Sequence, residues 1–151
     1  PNLPNMTSIY LYPSLCYFEA TNVSLGRGTD KPFQQFGHPN MKGYDYSFTP
    51  ESREGAKNPP QLGNKCFGRD LSGMSDDEII AKQLDLSYLI EAYRSVNEGD
   101  KFFTSFFEKL IGVDWVRTMI EEGKSAEEIS QRWKPDVEKF KQQSRKYLLY
   151  K

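Results

Sequence analysis

The pattern of apolar and polar positions changes near residue 73. Eight of the nine prolines and eight of the eleven glycines lie before residue 74, whereas apolar residues after it recur every three or four positions. That recurrence is typical of amphipathic helices, and dense proline and glycine are typical of turns and loops. The chain is therefore predicted to be α+β, with short strands and loops over residues 1–73 and helices over residues 74–151.

The first part contains four weak strand patterns. Aromatic residues stand at every second position in two of them, which is the spacing of side chains on one face of a strand. The predicted strands cover residues 8–12, 33–36, 44–48 and 65–71. Pro13 also suits the first turn of a helix over residues 14–18, so the structure between residues 12 and 19 stays open between these two alternatives.

Capping signals in the second part predict where the helices begin and end. Residues 75–78 form a capping box, and the apolar face behind it continues to a stop signal at residues 97–99. Asp100 is predicted to cap a second helix that carries four phenylalanines and ends at Gly112. A short third helical segment, which contains a tryptophan, ends at Gly123.

A second capping box opens the last helix at residues 125–128. Pro135 lies inside that helix and predicts a kink or a break, because proline lacks an amide donor and clashes with the preceding turn. The chain closes on a strongly apolar and aromatic set, namely Phe140, Tyr147, Leu148, Leu149 and Tyr150.

Residues 18–33 concentrate the groups that could carry chemistry. Gly26 and Gly28 let the backbone approach a ligand closely, and Arg27 between them offers a planar fork of donors suited to a carboxylate. The neighbouring polar groups, which suit the hydroxyl and amide groups of a sugar, are Glu19, Thr21, Asn22, Ser24, Thr29, Asp30 and Lys31.

A structural interpretation of these residues competes with the functional one. Glu19 or Asp30 would pair with Arg27 or Lys31, while the short polar side chains would cap turns. From the residue types alone, this structural interpretation is favoured. Two other functional patterns are excluded, because the glycine spacing fits neither a phosphate-binding loop nor a dinucleotide fingerprint.

Composition narrows the function classes. The 151 residues suit one domain, and 20 basic against 21 acidic residues give no sign of a nucleic-acid partner. The apolar runs are too short for membrane insertion. Cys16 and Cys66 could form one disulfide or remain two buried thiols. His38 is the sole histidine, which could line a pocket near residues 18–33, and no metal or cofactor is predicted.

Several segments resemble the C-terminal domain of the bacterial NamZ family, described as exo-acting β-N-acetylmuramidases. The resemblance rests on residues 1–4 (Pro-Asn-Leu-Pro), 12–16, 18–24, 26–29 and 31–33, and on Gly37 and Pro39. It continues through residues 66–68 (Cys-Phe-Gly) to the closing residues 146–150. It covers almost the whole chain, and Ala20 is a small departure from the glycine usual in the family.

The resemblance implies that residues 1–151 form the C-terminal domain of a longer two-domain enzyme, and a first residue other than Met suits that expectation. The enzyme would release terminal N-acetylmuramic acid from the non-reducing end of peptidoglycan fragments, in the periplasm or outside the cell. An upstream Rossmann-like domain would contribute much of the catalytic apparatus, with the ligand in the cleft between the domains.

Specific roles in this site follow from the resemblance and the residue types together. Arg27 would hold the lactyl carboxylate of N-acetylmuramic acid, and Glu19 is a candidate supporting carboxylate. The expected substrate-binding residues are Glu19, Thr21, Asn22, Arg27, Gly28, Thr29 and Lys31. Two alternatives remain: a non-catalytic module that binds carbohydrate or cell wall, and a structural hub built on a buried salt bridge between Glu19 and Arg27.

Overall fold

The computed structural model describes residues 2–150 of the chain. Within them, strands occur only before residue 71, and α-helices account for most of the regular structure after it. The strands are β1 (Gln35–His38), β2 (Tyr46–Phe48) and β3 (Cys66–Asp70). The helices are α1 (Met6–Leu15), α2 (Asp76–Lys82), α3 (Ser87–Val96), α4 (Phe107–Ile111), α5 (Trp115–Glu121) and α6 (Ala126–Ser144). The predicted α+β class with a helical C-terminal half is confirmed.

The three strands form an antiparallel sheet in the order β1-β3-β2. Gly37 of β1 lies opposite Gly68 of β3, and this pair brings the two backbones close together. A Cβ atom on Gly68 would collide with the carbonyl oxygen of Phe36, so the close contact requires glycine there. The strands predicted at 33–36, 44–48 and 65–71 are therefore present with slightly different ends.

The strand predicted over residues 8–12 is wrong, because α1 occupies this segment. The helix begins with a reciprocal cap in which the Asn5 side chain accepts from the Ser8 amide at 2.9 Å. In return, Ser8 Oγ accepts from the Asn5 amide at 3.3 Å. Serine at this third helical position is not the usual Glu or Gln of a capping box, so the signal is weak in the sequence. Pro13 lies inside α1 instead of in its first turn.

The helix predicted to run from residue 75 to the stop at 97–99 is two helices, α2 and α3. Its capping box is present as predicted, with Ser75 accepting from the Glu78 amide. The break falls at Gln83, whose φ is +53°. Ser14 of α1 stabilises the break. Its hydroxyl donates to the Gln83 carbonyl at 3.2 Å and accepts from the Asp85 amide at 2.9 Å.

The helix predicted to begin at Asp100 is also wrong. Asp100 lies in a single 3₁₀ turn, and Phe103 then forms a backbone bridge with Thr21. Tertiary pairing with the loop after α1 overrides the local helical pattern, and α4 begins only at Phe107. In the last helix the capping box at Ser125 is present, but α6 continues through Pro135 as one helix.

The hydrophobic core joins the sheet to the helical half. It includes fully buried aromatic and aliphatic side chains from both, among them Phe18, Phe36, Leu89, Phe102 and Phe107. Both cysteines are free and buried, and burial raises the pKa of the Cys16 thiol to about 11 and that of the Cys66 thiol to about 12. No helix within residues 2–150 has the length and apolar character needed to cross a bilayer.

The end of the chain lies outside this core. Residues 133–150, called here the C-terminal arm, comprise the last part of α6, the 3₁₀ turn Arg145–Tyr147 and the residues after it. Trp133 is partly buried against the core, but the large apolar side chains from Val137 onward are exposed, with Phe140 at 66% and Leu149 at 91%. The segment that the sequence marks as strongly apolar is therefore not a core segment of this chain.

Candidate functional site

The loop over residues 21–34, called here the motif loop, is bonded to β1 on one side and to Phe102 on the other. Ser24 and Gly37 exchange two backbone hydrogen bonds, of 2.9 and 2.8 Å. On the other side, the Asn22 amide donates to the carbonyl of Phe102 at 3.1 Å. The loop is thus tied to both halves of the domain, and its side chains are presented from a fixed backbone.

The two glycines of the motif loop both adopt left-handed backbone conformations. Gly26 has a φ of +84° and Gly28 a φ of +80°. A Cβ atom on Gly28 would collide with the carbonyl oxygen of Glu51, whose amide donates to the Gly28 carbonyl at 2.9 Å. Gly28 is buried, so its demonstrated role is close packing against the loop at Glu51.

Glu19 and Arg27 are brought together as an ion pair. Arg27 donates from its guanidinium to a Glu19 carboxylate oxygen at 2.5 Å, and the two side chains are 26% and 29% exposed respectively. The guanidinium carbon lies 5.2 Å from the centre of the Phe33 ring. The ring of Tyr12 also packs against that of Phe33, with ring centres 5.2 Å apart, and Tyr12 is 38% exposed. This group therefore places a partly exposed cation beside a pair of aromatic rings.

The exposure of this ion pair bears on the structural alternative. A structural hub requires both charged side chains to be buried, whereas about a quarter of each remains open to solvent. A pair in that position adds little stability, on the order of 0–1 kcal/mol. The arrangement leaves the remaining N–H groups of Arg27 able to meet an anion from outside.

Asn22 belongs to a second polar group. Its side-chain amide donates to one carboxylate oxygen of Glu98 at 2.6 Å, and Asn40 donates to the other oxygen at 2.6 Å. Gln61 donates to the Asn22 backbone carbonyl at 2.8 Å. The side-chain oxygen of Asn22 is buried and has no hydrogen-bond partner within residues 2–150, which is uncommon for a buried polar atom.

His38 lies beside this second group and is almost fully buried. Its Nδ1 accepts from the Asn40 amide at 3.2 Å, which leaves Nε2 to carry the proton of the neutral ring. Burial lowers the pKa of His38, and the charge of Glu98 acts in the opposite direction. The side chain is therefore neutral at physiological pH and serves the packing of this corner.

Thr29 and Lys31 form a third group with β1, β2 and β3. The Thr29 hydroxyl donates to the Gly26 carbonyl at 2.7 Å and accepts from the Gln35 side chain at 2.6 Å. Gln35 in turn accepts from the hydroxyl of Tyr46 at 2.5 Å. Through this chain of hydrogen bonds, the motif loop fixes the ring of Tyr46, which lines an open concavity of about 540 Å³ on the sheet.

Lys31 contributes to the same region. Its ammonium lies 2.5 Å from an Asp70 carboxylate oxygen and 5.9 Å from the centre of the Tyr46 ring. Partial burial opposes ionisation of Asp70, but its hydrogen bonds with Lys31 and Ser72 outweigh that effect and hold its pKa below the usual value. Lys31 is therefore paired within the domain at the rim of the concavity.

The candidate residues thus fall into three groups. Glu19 contacts Arg27, Asn22 contacts Glu98, and Thr29 and Lys31 contact the sheet; no hydrogen bond joins the side chains of one group to those of another in the described part of the chain. Thr21 is buried and donates to the Phe18 carbonyl, which gives it a turn-capping contact. Lys31 has the more exposed side chain, 40% against 26% for Arg27. Arg27 bonds to Glu19 through one guanidinium nitrogen only, so it keeps the larger number of donors for a ligand.

Sequence reasoning missed the partners of these residues. Glu98 stood only in a helix stop signal, 76 positions from Asn22, and nothing in that stop signal marks a contact over such a separation. Gln35 and Asp70 lay in predicted strands without a chemical role. Across residues 2–150 there is no cluster of three His, Cys, Asp or Glu side chains placed to hold a metal ion.

Comparison with known proteins bears directly on the resemblance. The profile of the family described as "Exo-beta-N-acetylmuramidase NamZ, C-terminal" matches residues 10–150. A curated relative, the "Peptidoglycan beta-N-acetylmuramidase NamZ" of Bacillus subtilis (strain 168), is 33% identical over 162 residues. That match covers 99% of this chain and 39% of the relative.

A solved structure is similar as well. The crystal structure described as a DUF1343 family protein from Bacteroides fragilis NCTC 9343 is 64% identical, with a TM-score of 0.97. The match covers 100% of this chain and 43% of that one, so the chain spans less than half the length of either protein. With the family profile matching nearly every residue, the chain belongs to the NamZ family, as its C-terminal domain.

Proposed function

We propose that the complete protein is an exo-β-N-acetylmuramidase, a glycoside hydrolase that releases terminal N-acetylmuramic acid from the non-reducing end of peptidoglycan fragments. The family match and the name of the B. subtilis relative support this proposal. The chain described here forms one wall of the active-site cleft. A Rossmann-like domain outside this chain forms the other wall and carries the principal catalytic groups.

The Arg27 group is the observation that carries the proposal. N-acetylmuramic acid differs from the other peptidoglycan sugar by a lactyl carboxylate, and a partly exposed guanidinium is the side chain best suited to bind one. Glu19 holds Arg27 in place at 2.5 Å, while Phe33 and Tyr12 provide apolar surface beside it. Glu19 is therefore assigned a positioning role, with Arg27 selecting the sugar by its charge.

The proposal extends to where the enzyme acts. Its substrate is a cell-wall fragment, so the protein works in the periplasm or outside the cell, in turnover and recycling of peptidoglycan fragments. The isolated domain lacks the upstream catalytic groups and is expected to be inactive alone. Thr29 and Lys31 support the loop that presents Arg27, because both bond to groups within the domain.

Hydrolysis of a chromogenic β-N-acetylmuramide by the full-length protein tests the proposal. Arg27→Ala is expected to lower kcat/KM by about 10- to 100-fold, the range that follows from losing a hydrogen-bonded charge contact of roughly 1.5–3 kcal/mol. Arg117→Ala is the matched control, since Arg117 is also 26% exposed, pairs with Glu121 at 2.8 Å and lies 5.5 Å from the centre of the Phe103 ring, but belongs to α5. It should leave kcat/KM nearly unchanged.

Two results would count against the proposal. Equal rates for wild type and Arg27→Ala would remove the motif loop from the substrate site. Tight binding of N-acetylmuramic acid to residues 1–151 alone, in a titration without the rest of the protein, would favour a non-catalytic binding module. Failure of the isolated domain to bind, together with the Arg27→Ala loss, is the result expected for a shared cleft.

A further inference from the structure

The C-terminal arm carries a continuous apolar stripe. Trp133, Val137 and Phe140 are separated by four and three positions, which places them along one side of α6, and Tyr147 follows in the 3₁₀ turn. Val137 is 42% exposed, Phe140 66% and Tyr147 74%. The other side of this segment is charged, so the arm is amphipathic, and from Val137 onward its apolar side is uncovered within residues 2–150.

The stripe begins in a groove on the domain and runs beyond it. Trp133 and Val137 line an apolar groove of about 350 Å³ together with Tyr17, Ile111, Val113 and Trp115. Farther along, Phe140 and Tyr147 line a second concavity that is built from the arm alone. The apolar surface therefore continues from the body of the domain onto a projecting helix, and then to Leu149 and Tyr150 at 91% and 89% exposure.

Exposure of this extent calls for a partner. Scattered apolar side chains are normal on protein surfaces, but a contiguous patch of large ones marks an interaction site or an aggregation hazard. The family profile extends to residue 150, so the arm belongs to the conserved domain pattern and is not an appended tail. The arm is thus a regular part of the domain with an unfilled apolar side.

We propose that the C-terminal arm docks onto the part of the same polypeptide that lies outside this chain, the upstream domain, and holds the two domains together. This inference rests on the two-domain organisation proposed above. More than half of each matched protein lies outside the region that this chain covers, which is enough to form a second domain. A covalently linked partner is also present at high effective concentration.

Charge favours this occupant over a second copy of the chain. Between residues 136 and 150 there are four cationic side chains, Lys139, Lys141, Arg145 and Lys146, against two carboxylates. One of the cations, Lys141, pairs with Glu138 at 2.8 Å within the helix. A symmetric dimer through the arm would bring two basic segments together, whereas an acidic surface on the upstream domain would complement them.

Hydrogen exchange of the full-length protein tests the proposal. The amides of Leu149 and Tyr150 have no backbone acceptor within residues 2–150, so only an outside partner can protect them. They are expected to exchange at least 10-fold more slowly than in an unstructured peptide of the same sequence. Phe140→Glu should abolish that protection, whereas Ile80→Glu, at an isolated α2 residue that is 51% exposed, should preserve it.

Sedimentation of the same proteins identifies the occupant. A monomer with a protected arm supports docking within one polypeptide. A dimer that Phe140→Glu converts to monomer assigns the arm to a second copy and overturns the proposal, as does an unprotected arm in the wild-type monomer. An enzyme with a protected arm but no muramidase activity would refute the proposed function and leave this inference standing.

Discussion

The motif loop and the C-terminal arm differ in how many of their side chains have partners within the domain. In the loop, most polar side chains have partners within the domain, and the backbone is bonded on both sides. In the arm, large apolar side chains from Val137 to Tyr150 face solvent. The loop is a largely paired polar support in which Arg27 keeps further donors, whereas the apolar side chains of the arm are uncovered within residues 2–150.

This difference separates two kinds of contribution that the proposed two-domain protein would need. A ligand site needs a fixed backbone, because a group displaced by even 1 Å loses much of its interaction with the ligand. A docking surface needs apolar area that the partner will cover, so it is exposed in the domain alone. Under the two proposals, the same chain supplies the ligand site in its strand-and-loop part and the docking surface in its C-terminal arm.

The contrast in burial gives the largest expected effect. Phe107, at 0% exposure in the core, and Phe140, at 66%, carry the same side chain in helices of the same domain. In this chain, Phe107→Ala should lower the free energy of unfolding by about 4 kcal/mol, from lost burial and the cavity left behind. Phe140→Ala should change it by less than about 0.5 kcal/mol.

Chemical denaturation of the two variants measures this difference. If both variants lost a similar free energy of unfolding, the contrast between core and arm would be wrong, because the arm would already pack onto the domain without any partner. In the full-length protein, Phe140→Ala should become destabilising, because the proposed docking of the arm would cover the ring.

The fixed backbone of the motif loop gives a smaller effect. Gly28 and Gly43 have similar φ values, +80° and +87°, but only Gly28 lacks room for a Cβ atom. Gly28→Ala should lower the free energy of unfolding by about 3 kcal/mol, from backbone strain plus the collision with Glu51. Gly43→Ala should cost only the strain, about 1 kcal/mol. Denaturant titration of both variants gives the cost of the collision as the difference between their free energies of unfolding. Equal free energies would show that the loop shifts easily to make room for the Cβ atom.

The smallest expected effect is a pH dependence of the free energy of unfolding, which comes from His38 beside the motif loop. Burial holds the pKa of His38 below its usual 6.5, against the charge of Glu98, so protonation favours the unfolded chain. The stabilising contribution is complete above pH 6.5 and is lost as the pH falls from that value through the folded-state pKa. Unfolding free energies at about pH 7.5 and about pH 5.5 should therefore differ less in His38→Gln than in wild type.

The sequence predicted the fold class and most element boundaries where local signals were strong. The capping boxes at Ser75 and Ser125 begin helices as expected, because the reciprocal hydrogen bonds are local. The predictions that were wrong concern segments whose structure is determined by contacts with residues distant in the sequence. Ser14 breaks one predicted helix near Gln83, and pairing with Thr21 holds Phe103 out of another.

The candidate site was predictable in part for the same reason. Pairing of Glu19 with Arg27, eight positions apart, was one of the alternatives that the residue types raised. The contacts of Asn22 with Glu98 and of Lys31 with Asp70 join segments 76 and 39 positions apart, and charge alone offers many equivalent partners at such separations. Burial, which leaves Arg27 open and encloses Thr21, is also decided by the whole fold.

We propose that Arg27 selects N-acetylmuramic acid by its lactyl carboxylate. A crystal structure of the full-length protein with that sugar bound gives the distance between this carboxylate and the Arg27 guanidinium. We expect a direct contact of about 2.8 Å between the carboxylate and the guanidinium. A sugar bound in the cleft beyond hydrogen-bond reach of Arg27, with the guanidinium still bonded only to Glu19, would contradict it.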